Sequence, residues 1–267
     1  MGSLSSPVDY SVVDGIARVV LNTPENFNAM TASMAEAIEE ALEAANSDDE
    51  ARVLVITGVG PVFSAGGDVK EDLPKFAATP YFLADRSPRA GGHRSFVFQL
   101  HNFEKPTIAA LNGVAAGGGF SLALACDLRI ASEEARLAPI FSRIGLAPDT
   151  GTSYLLPRLV GLAKALEISF TGDIIDAATA LHVGLVNRVA PVEDFERATN
   201  ELAQKIAAGP PLALKLTKRL LYHGAEANLD DAYDLEGYLQ GICLQSADFQ
   251  EGIAAFNEKR QPRFIGK

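Results

Sequence analysis

The stretch NGVAAGGGFSLALACDLRIAS, residues 112–132, carries the signals that decide the fold. It overlaps the end of TIAALNG (107–113), an apolar run that predicts a buried strand. Within it, FSLALACD (120–127) has the composition of a helix, and LRIAS (128–132) is typical of a second short strand. A strand, a helix and another strand in such close succession indicate an α/β fold with crossover connections.

The same alternation extends toward both ends of the chain. Further strand patterns are IARVVLN (16–22), RVLVITG (52–58) and LVNRVA (185–190). Between the first two lies MAEAIEEALEAAN (34–46), which is rich in helix formers at amphipathic spacing and which Thr31 or Ser33 can cap. We therefore expect one α/β layout over residues 1–194.

The C-terminal part of the chain has a different pattern. From about Phe195 onward the strand signals vanish, and the composition and period are helical. Apolar residues such as Leu239 and Leu244 recur in this part, and helices with surplus apolar faces need partners. The sequence predicts a helical region over 195–267 that takes part in oligomerisation.

Composition excludes several classes of function. The formal net charge is −11 and no block of Lys or Arg occurs, so nucleic acid is not expected as a partner. Two cysteines, Cys126 and Cys243, are too few for a disulfide framework or a zinc site, and we expect no metal. No stretch approaches the roughly 18 apolar residues of a membrane span, and the first residues do not resemble a signal peptide. We expect a cytoplasmic protein without a membrane partner.

Two glycine-containing turns follow predicted strands. SAGGDVKE (64–71) comes shortly after RVLVITG, and Gly117–Gly119 come shortly after TIAALNG. Because glycine has no side chain, a ligand can approach its N–H group, and the free donors of a helix's first turn favour developing negative charge. Such turns suit an oxyanion, although either could equally serve tight turning or close packing. Neither matches a phosphate-binding loop or a dinucleotide fingerprint.

Taken together, these motifs resemble the crotonase (enoyl-CoA hydratase/isomerase) superfamily. The resemblance extends from LNTPENFNA (21–29) to QSADFQEGIAAFNEKRQPRF (245–264), with the motifs in matching order and spacing. PVFSAGGDVKE (61–71) is similar to the family's first oxyanion segment, which implies that the Ala65 amide is one donor. NGVAAGGGFSLALACDLRIAS looks like the second segment, which implies that the Gly118 amide is the other.

The resemblance also implies an architecture and a ligand. The expected fold is a spiral of repeated ββα turns with a C-terminal helical trimerisation region that also covers the CoA site, assembled as a homotrimer or a dimer of trimers. No cofactor would be bound permanently, since coenzyme A arrives as part of an acyl-CoA thioester substrate. Residues expected along the coenzyme are Ala65, Gly66, Gly67, Asp68, Lys70, Gly118 and Lys259. The two lysines are candidates for phosphate or adenine contacts, with surface solvation as the alternative.

The reaction depends on carboxylates. Hydratases of the superfamily use two glutamates, but the aligned positions here hold Ser121 and Phe141, neither of which exchanges protons as a carboxylate does. A carboxylate stands instead at Asp149, within RIGLAPDTGTSYLLPRLVG (143–161). The resemblance implies that Asp149 is catalytic, whereas a plain structural reading would make it the cap of the next helix.

Two branches of the superfamily carry an aspartate in this motif. In isomerases of unsaturated or ring-type CoA thioesters, including the phenylacetate-pathway ring-epoxide isomerases, it is an acid/base, and in 4-chlorobenzoyl-CoA dehalogenases it is a nucleophile. The Trp and His of the dehalogenases align with Phe141 and Arg94, and His93 is adjacent. The motifs therefore favour an isomerase, ahead of a hydratase. The alternatives are a thioester hydrolase or dehalogenase using Asp149 as nucleophile, and a non-catalytic acyl-CoA-binding protein. His93, Arg94 and His101 are candidate second proton carriers.

Overall fold

The computed structural model of the chain describes residues 6–69 and 96–267. The described strands are β1 (Val8–Val13), β2 (Ile16–Leu21), β3 (Val53–Gly58), β4 (Val62–Ser64), β5 (Thr107–Leu111), β6 (Val114–Ala116), β7 (Leu128–Ser132), β8 (Arg136–Ala138), β9 (Ile175–Asp176) and β10 (Arg188–Ala190). The described α-helices are α1 (Ala32–Ser47), α2 (Phe96–His101), α3 (Gly118–Ala125), α4 (Thr152–Val160), α5 (Leu162–Thr171), α6 (Ala177–His182), α7 (Phe195–Ala207), α8 (Pro211–Gly224), α9 (Leu229–Leu244) and α10 (Ala247–Glu258).

Two sheets organise these strands. The first has six strands in the order β1-β2-β3-β5-β7-β10, all parallel except for the antiparallel hairpin of β1 and β2. The second has the order β4-β6-β8-β9, with β4, β6 and β8 parallel to one another. Each of β3, β5 and β7 is followed along the chain by a short strand of the second sheet. Each successive ββα unit along the chain adds one strand to the first sheet and one strand to the second. The predicted spiral of ββα turns is therefore confirmed.

The first sheet is covered on both faces. Along β3 the side chains alternate: Leu54 and Ile56 join the main core, whereas Val53 and Val55 join a second cluster on the opposite face. The second cluster includes Leu202 of α7. A strand buried on both faces carries apolar residues at every position, which is why RVLVITG has no period-two alternation.

Helix α1 shows how local sequence positions an element against this sheet. Thr31 is its N-cap, and the Thr31 hydroxyl accepts a hydrogen bond from the Met34 amide at 3.2 Å. Of the two predicted caps, Thr31 is therefore the one used, since its hydroxyl satisfies one of the free donors of the first turn. The buried face of the helix includes Ile38 and Leu42, which pack into the main core.

The chain after residue 195 is helical in the structure, as predicted. Helix α7 packs on the first sheet, while α8, α9 and α10 expose large apolar side chains. Leu229, Tyr233, Tyr238 and Phe256 are each 69–82% exposed. Leu239, expected on an outer apolar face, is instead buried at 1% exposure, because it turns toward the neighbouring helix α8. Within 6–69 and 96–267, no helix combines the length and apolar character needed to cross a bilayer.

Candidate active site

Two glycine turns lie side by side at one edge of the second sheet. The first glycine turn, residues 65–68, follows β4, and the second, Gly117–Gly119, follows β6 and opens α3. Strands β4 and β6 are hydrogen-bonded parallel neighbours. Because the carboxyl ends of parallel strands meet at the same edge of a sheet, the topology brings these two sequence-distant turns together.

Glycine is required at two positions of the second turn. Gly117 has φ +47° and ψ −118°, a conformation that residues with a side chain rarely adopt. A Cβ at Gly119 would come within 2.6 Å of the Ser64 Cβ, so only glycine lets α3 approach β4 this closely. Glycine is therefore needed at Gly117 for its positive φ and at Gly119 for close packing. Together the two positions set the direction of the neighbouring amide groups.

The amides of Gly67 and Gly118 are close neighbours across this contact. A Cβ built on Gly118 would lie 3.8 Å from the Gly67 nitrogen, and one built on Gly66 would lie 3.0 Å from the Gly118 nitrogen. Gly67 is exposed and Gly118 is half-buried, so solvent or a ligand can reach this point. The two N–H groups thus belong to one small patch of backbone.

The hydrogen bonds of the turns show which amides are free. The Ala65 amide donates to the Phe27 carbonyl at 3.0 Å, the Gly66 amide to the Ser64 hydroxyl at 3.2 Å, and the Gly117 amide to the Ala138 carbonyl at 3.0 Å. Among residues 6–69 and 96–267, the Gly67 and Gly118 amides have no protein acceptor.

The hydrogen bond of the Ala65 amide corrects one prediction. The Ala65 amide is already engaged, which contradicts its assignment as the first donor, because an N–H group that bonds the protein is not available to an oxyanion. The neighbouring residue with a free amide is Gly67, two positions further along the same turn.

A loop that sequence reasoning did not single out supports the first glycine turn. Phe27 and Asn28 both have positive φ, +59° and +54°. The Asn28 side chain is fully buried and donates to the carbonyls of Val59 and Val62, at 3.1 and 2.8 Å. Asparagine tolerates the left-handed region better than most residues, so Asn28 in a loop was the available signal. By fixing this loop, Asn28 holds the Phe27 carbonyl that engages Ala65.

Asp149 does not cap the helix that follows it. The N-cap of α4 is Gly151, which has no side-chain cap bond. The Asp149 side chain is exposed and accepts a hydrogen bond from the Thr150 hydroxyl at 3.1 Å, while the Asp149 backbone carbonyl accepts one from the Thr152 amide at 2.9 Å. The structural reading of Asp149 as a cap therefore finds no support, and its carboxylate remains accessible.

The positions aligned with the hydratase glutamates are closed to solvent. Ser121 is 0% exposed and its hydroxyl lies 2.6 Å from the Thr152 hydroxyl, so it is tied into the protein interior. Phe141 is 6% exposed and apolar. Neither position offers a group that could activate a water molecule as a carboxylate does.

His101 lies in an aromatic environment. Its ring meets Tyr222 edge-on with centroids 4.6 Å apart, and Tyr154 of α4 at 5.8 Å. Burial, followed by the nearby Lys218 charge, lowers the pKa of His101 below its ordinary value. These contacts account for His101 as a packed side chain of the helix interface. Lys70, His93 and Arg94, also named as candidates, lie outside the described residues.

The remaining coenzyme candidates are placed differently. Asp68 is half-buried at the end of the first glycine turn. Lys259 is exposed and caps the C-terminus of α10 with φ +55°, in the helical region rather than beside the turns.

A cavity of about 320 Å³ between α8, α9 and α10, lined by residues such as Leu216, Leu239 and Phe249, includes none of the predicted site residues. No group of metal-ligating side chains occurs in the described part of the chain.

Comparison with known proteins identifies the family of this chain. The model of the enoyl-CoA hydratase/isomerase family matches residues 12–267. This chain belongs to the enoyl-CoA hydratase/isomerase family. It is 35% identical over 256 residues to 1,2-epoxyphenylacetyl-CoA isomerase of Escherichia coli, covering 96% of this chain and 97% of that protein. It is 34% identical to 4-chlorobenzoyl coenzyme A dehalogenase-2 of an Arthrobacter species, covering 96% and 94%.

The fold agrees with the same family. The crystal structure of enoyl-CoA hydratase from Bacillus anthracis superposes with a TM-score of 0.88 at 31% identity, covering 98% of this chain and all of that one. A protein of the enoyl-CoA hydratase/isomerase family is an enzyme of acyl-CoA metabolism, and this chain is such an enzyme. These relatives are named for isomerase, dehalogenase and hydratase reactions, so family membership is compatible with each of the three reactions.

Proposed function

We propose that this enzyme is an isomerase of unsaturated acyl-CoA thioesters. The thioester carbonyl oxygen lies between the Gly67 and Gly118 amides, and Asp149 moves a proton between two carbons of the acyl chain. The observation that carries the proposal is the pair of neighbouring amides without protein acceptors at the edge of the second sheet. Preorganised donors of this kind stabilise charge that develops on an oxygen during reaction.

The proton chemistry follows from the groups present. Removing a proton from the acyl chain leaves an enolate whose charge lies largely on the carbonyl oxygen, where the two N–H groups face it. Returning the proton to a different carbon of the same conjugated system moves the double bond with no net change in atoms. One carboxylate suffices for both steps, and Asp149 is accessible, whereas Ser121 and Phe141 are buried.

A second candidate is displacement with Asp149 as nucleophile, which the 34% identity to a chlorobenzoyl-CoA dehalogenase favours. Product analysis separates the possibilities. Migration of a double bond supports the isomerase, addition of water supports a hydratase, and release of halide or of free coenzyme A supports attack by Asp149 or hydrolysis. Binding of acyl-CoA with no turnover on any of these substrates would indicate a non-catalytic binding protein.

The thioester carbonyl itself is the group that the two amides recognise. We expect an alkyl-CoA thioether, which has no carbonyl, to bind roughly 10- to 50-fold more weakly than the acyl-CoA of equal chain length, because two hydrogen bonds worth about 1 kcal/mol each are lost. Calorimetric titration of both ligands measures this ratio. NAD is the negative control, since no dinucleotide fingerprint is present. Equal affinity for thioether and thioester would contradict the paired-amide site.

The C-terminal helices provide the partner surface. We propose a homotrimer or dimer of trimers built through α9 and α10, whose exposed side chains include Leu229, Tyr233 and Phe256. In this assembly Lys259 of one subunit contacts the coenzyme bound by its neighbour. The neighbour's own first glycine segment supplies the other contacts, through Gly66, Asp68 and Lys70. Sedimentation of the full chain separates three or six copies from one, and a stable monomer at micromolar concentration would contradict the assembly.

A further inference from the structure

Two buried hydroxyl groups connect the second glycine turn to the segment that carries Asp149. Ser121 of α3 and Thr152 of α4 are 0% and 1% exposed, and their hydroxyl oxygens are 2.6 Å apart. The Ser121 hydroxyl also donates to the Gly117 carbonyl at 3.3 Å. We call Ser121 and Thr152 the hydroxyl pair. It is the point where the helix that begins at Gly118 touches the helix that follows Asp149.

Which hydroxyl donates and which accepts follows from the one proton that each hydroxyl carries. A hydroxyl has one proton to donate and can accept two hydrogen bonds. If the Ser121 proton goes to the Gly117 carbonyl, then the Thr152 hydroxyl must donate to Ser121. The result is a relay that runs from Thr152 through Ser121 to Gly117.

The relay ends on the peptide group that contains the Gly118 N–H. A peptide unit is planar and trans, so fixing the Gly117 C=O fixes the direction of the Gly118 N–H on the other side of the same plane. The Gly117 carbonyl accepts from both the Ser121 amide, at 3.0 Å, and the Ser121 hydroxyl. Hydrogen bonds accepted by a carbonyl also polarise the peptide and strengthen its N–H as a donor.

The other end of the relay reaches the Asp149 segment. The Thr152 amide donates to the Asp149 carbonyl at 2.9 Å. Between them, Thr150 has φ +46°, an uncommon conformation for a residue with a branched side chain. Thr152 therefore holds both the backbone of Asp149 and, through Ser121, the peptide of Gly118.

We propose that Ser121 and Thr152 are positioning residues that set the Gly118 amide relative to the Asp149 carboxylate. This inference rests on the proposed function, in which the amide stabilises the enolate oxygen and Asp149 moves the proton. Neither hydroxyl touches the substrate, because both are closed to solvent. Ser121, at a position aligned with a hydratase glutamate, thus has a positioning role and no acid/base role in this chain.

Thr152→Val removes the relay's first proton donor at nearly unchanged side-chain volume. We expect kcat to fall roughly 10- to 100-fold, the range that a misplacement of about 1 Å in an active site produces. KM should rise by no more than a few-fold, because a misplaced Gly118 amide weakens only one of the two hydrogen bonds to the thioester carbonyl. Thr152→Ser keeps the hydroxyl and should restore most of the lost kcat, whereas a purely packing role would make the smaller serine the more damaging change.

A double-mutant cycle tests whether the two hydroxyls act as one unit. Ser121→Ala and Thr152→Val combined should lower kcat by no more than the larger single change, since both break the same relay. Thr199→Val is the matched control: Thr199 is 3% exposed and its hydroxyl donates to the Phe195 carbonyl within α7. The Thr199→Val variant should lose about as much stability as Thr152→Val and keep wild-type kcat.

Hydrogen exchange read by mass spectrometry tests the positioning without turnover. In Thr152→Val the amides of residues 149–152 and of 117–121 should exchange faster than in wild type, and in Thr152→Ser they should not. Unchanged kcat in Thr152→Val, an equal kcat loss in Thr199→Val, or unchanged exchange in both segments would each overturn the proposal. If the wild type turns over no CoA thioester, the proposed function fails, and the exchange result alone decides whether the hydroxyl pair fixes these segments.

Discussion

Gly118→Pro is expected to lower kcat by at least 10²- to 10³-fold, the loss that follows removal of a single oxyanion donor in a well-studied protease. Proline has no N–H, so the substitution deletes the donor outright. The fold should survive, because Gly118 is the first residue of α3, where proline is favoured. The preceding Gly117 has no Cβ for the proline ring to crowd. Gly67→Pro should cause a loss of similar size.

Leu162→Pro is the matched control for the proline itself. Leu162 is the first residue of α5 and is 65% exposed, and like Gly118 it follows a glycine with positive φ, Gly161, which has no Cβ for the proline ring to crowd. This variant should keep wild-type kcat. Rates are compared after circular dichroism has shown intact helices in all three variants. Near wild-type turnover by a folded Gly118→Pro variant would contradict the paired-amide site.

Asp149→Asn should lower turnover by roughly 10²- to 10⁴-fold, the contribution of a general acid/base, while leaving acyl-CoA affinity nearly unchanged. Asparagine has almost the same shape but does not take up a proton near neutral pH. The melting temperature should hardly move, because the Asp149 carboxylate caps no helix and bonds only the Thr150 hydroxyl among the described residues. Stopped-flow absorbance of double-bond migration, with titration of the substrate, measures kcat and KM separately.

Asp49→Asn is the control for loss of an exposed carboxylate. Asp49 is exposed and follows the C-terminus of α1, where its charge acts on Lys105. It should retain wild-type rates. If Asp149→Asn retains them as well, on a substrate that the wild type turns over efficiently, Asp149 is not the proton carrier and the isomerase assignment loses its central residue.

The first sheet and its helices were predictable because their residues satisfy local rules. RVLVITG is apolar along its length because β3 is covered on both faces, and α1 carries its own cap at Thr31. The second sheet was not predictable. Strands β4 and β6 have three residues each, too few to show a period, and VAA at 114–116 is indistinguishable from a small-residue turn.

The details of the site were harder to predict than its location. Both glycine turns stood out in the sequence, but which amide is free depends on the Phe27 carbonyl, which a distant loop delivers to Ala65. Likewise, nothing local to Ser121 indicates that its partner is Thr152, since only the packing of α3 against α4 joins them. Long-range hydrogen bonds of this kind are set by tertiary structure and leave no pattern in a window of sequence.

The use of backbone donors has a genetic consequence. Every amino acid except proline supplies an N–H group, and no single nucleotide change converts a glycine codon into a proline codon. Point mutations at Gly67 and Gly118 can therefore crowd the two donors but cannot delete them. The side chain at 149 has no such protection, because a single nucleotide change converts an aspartate codon into an asparagine codon and removes the carboxylate. A gene of this kind can thus lose or change its proton chemistry by mutation at one side-chain position while it keeps the two backbone amides that we propose bind the thioester.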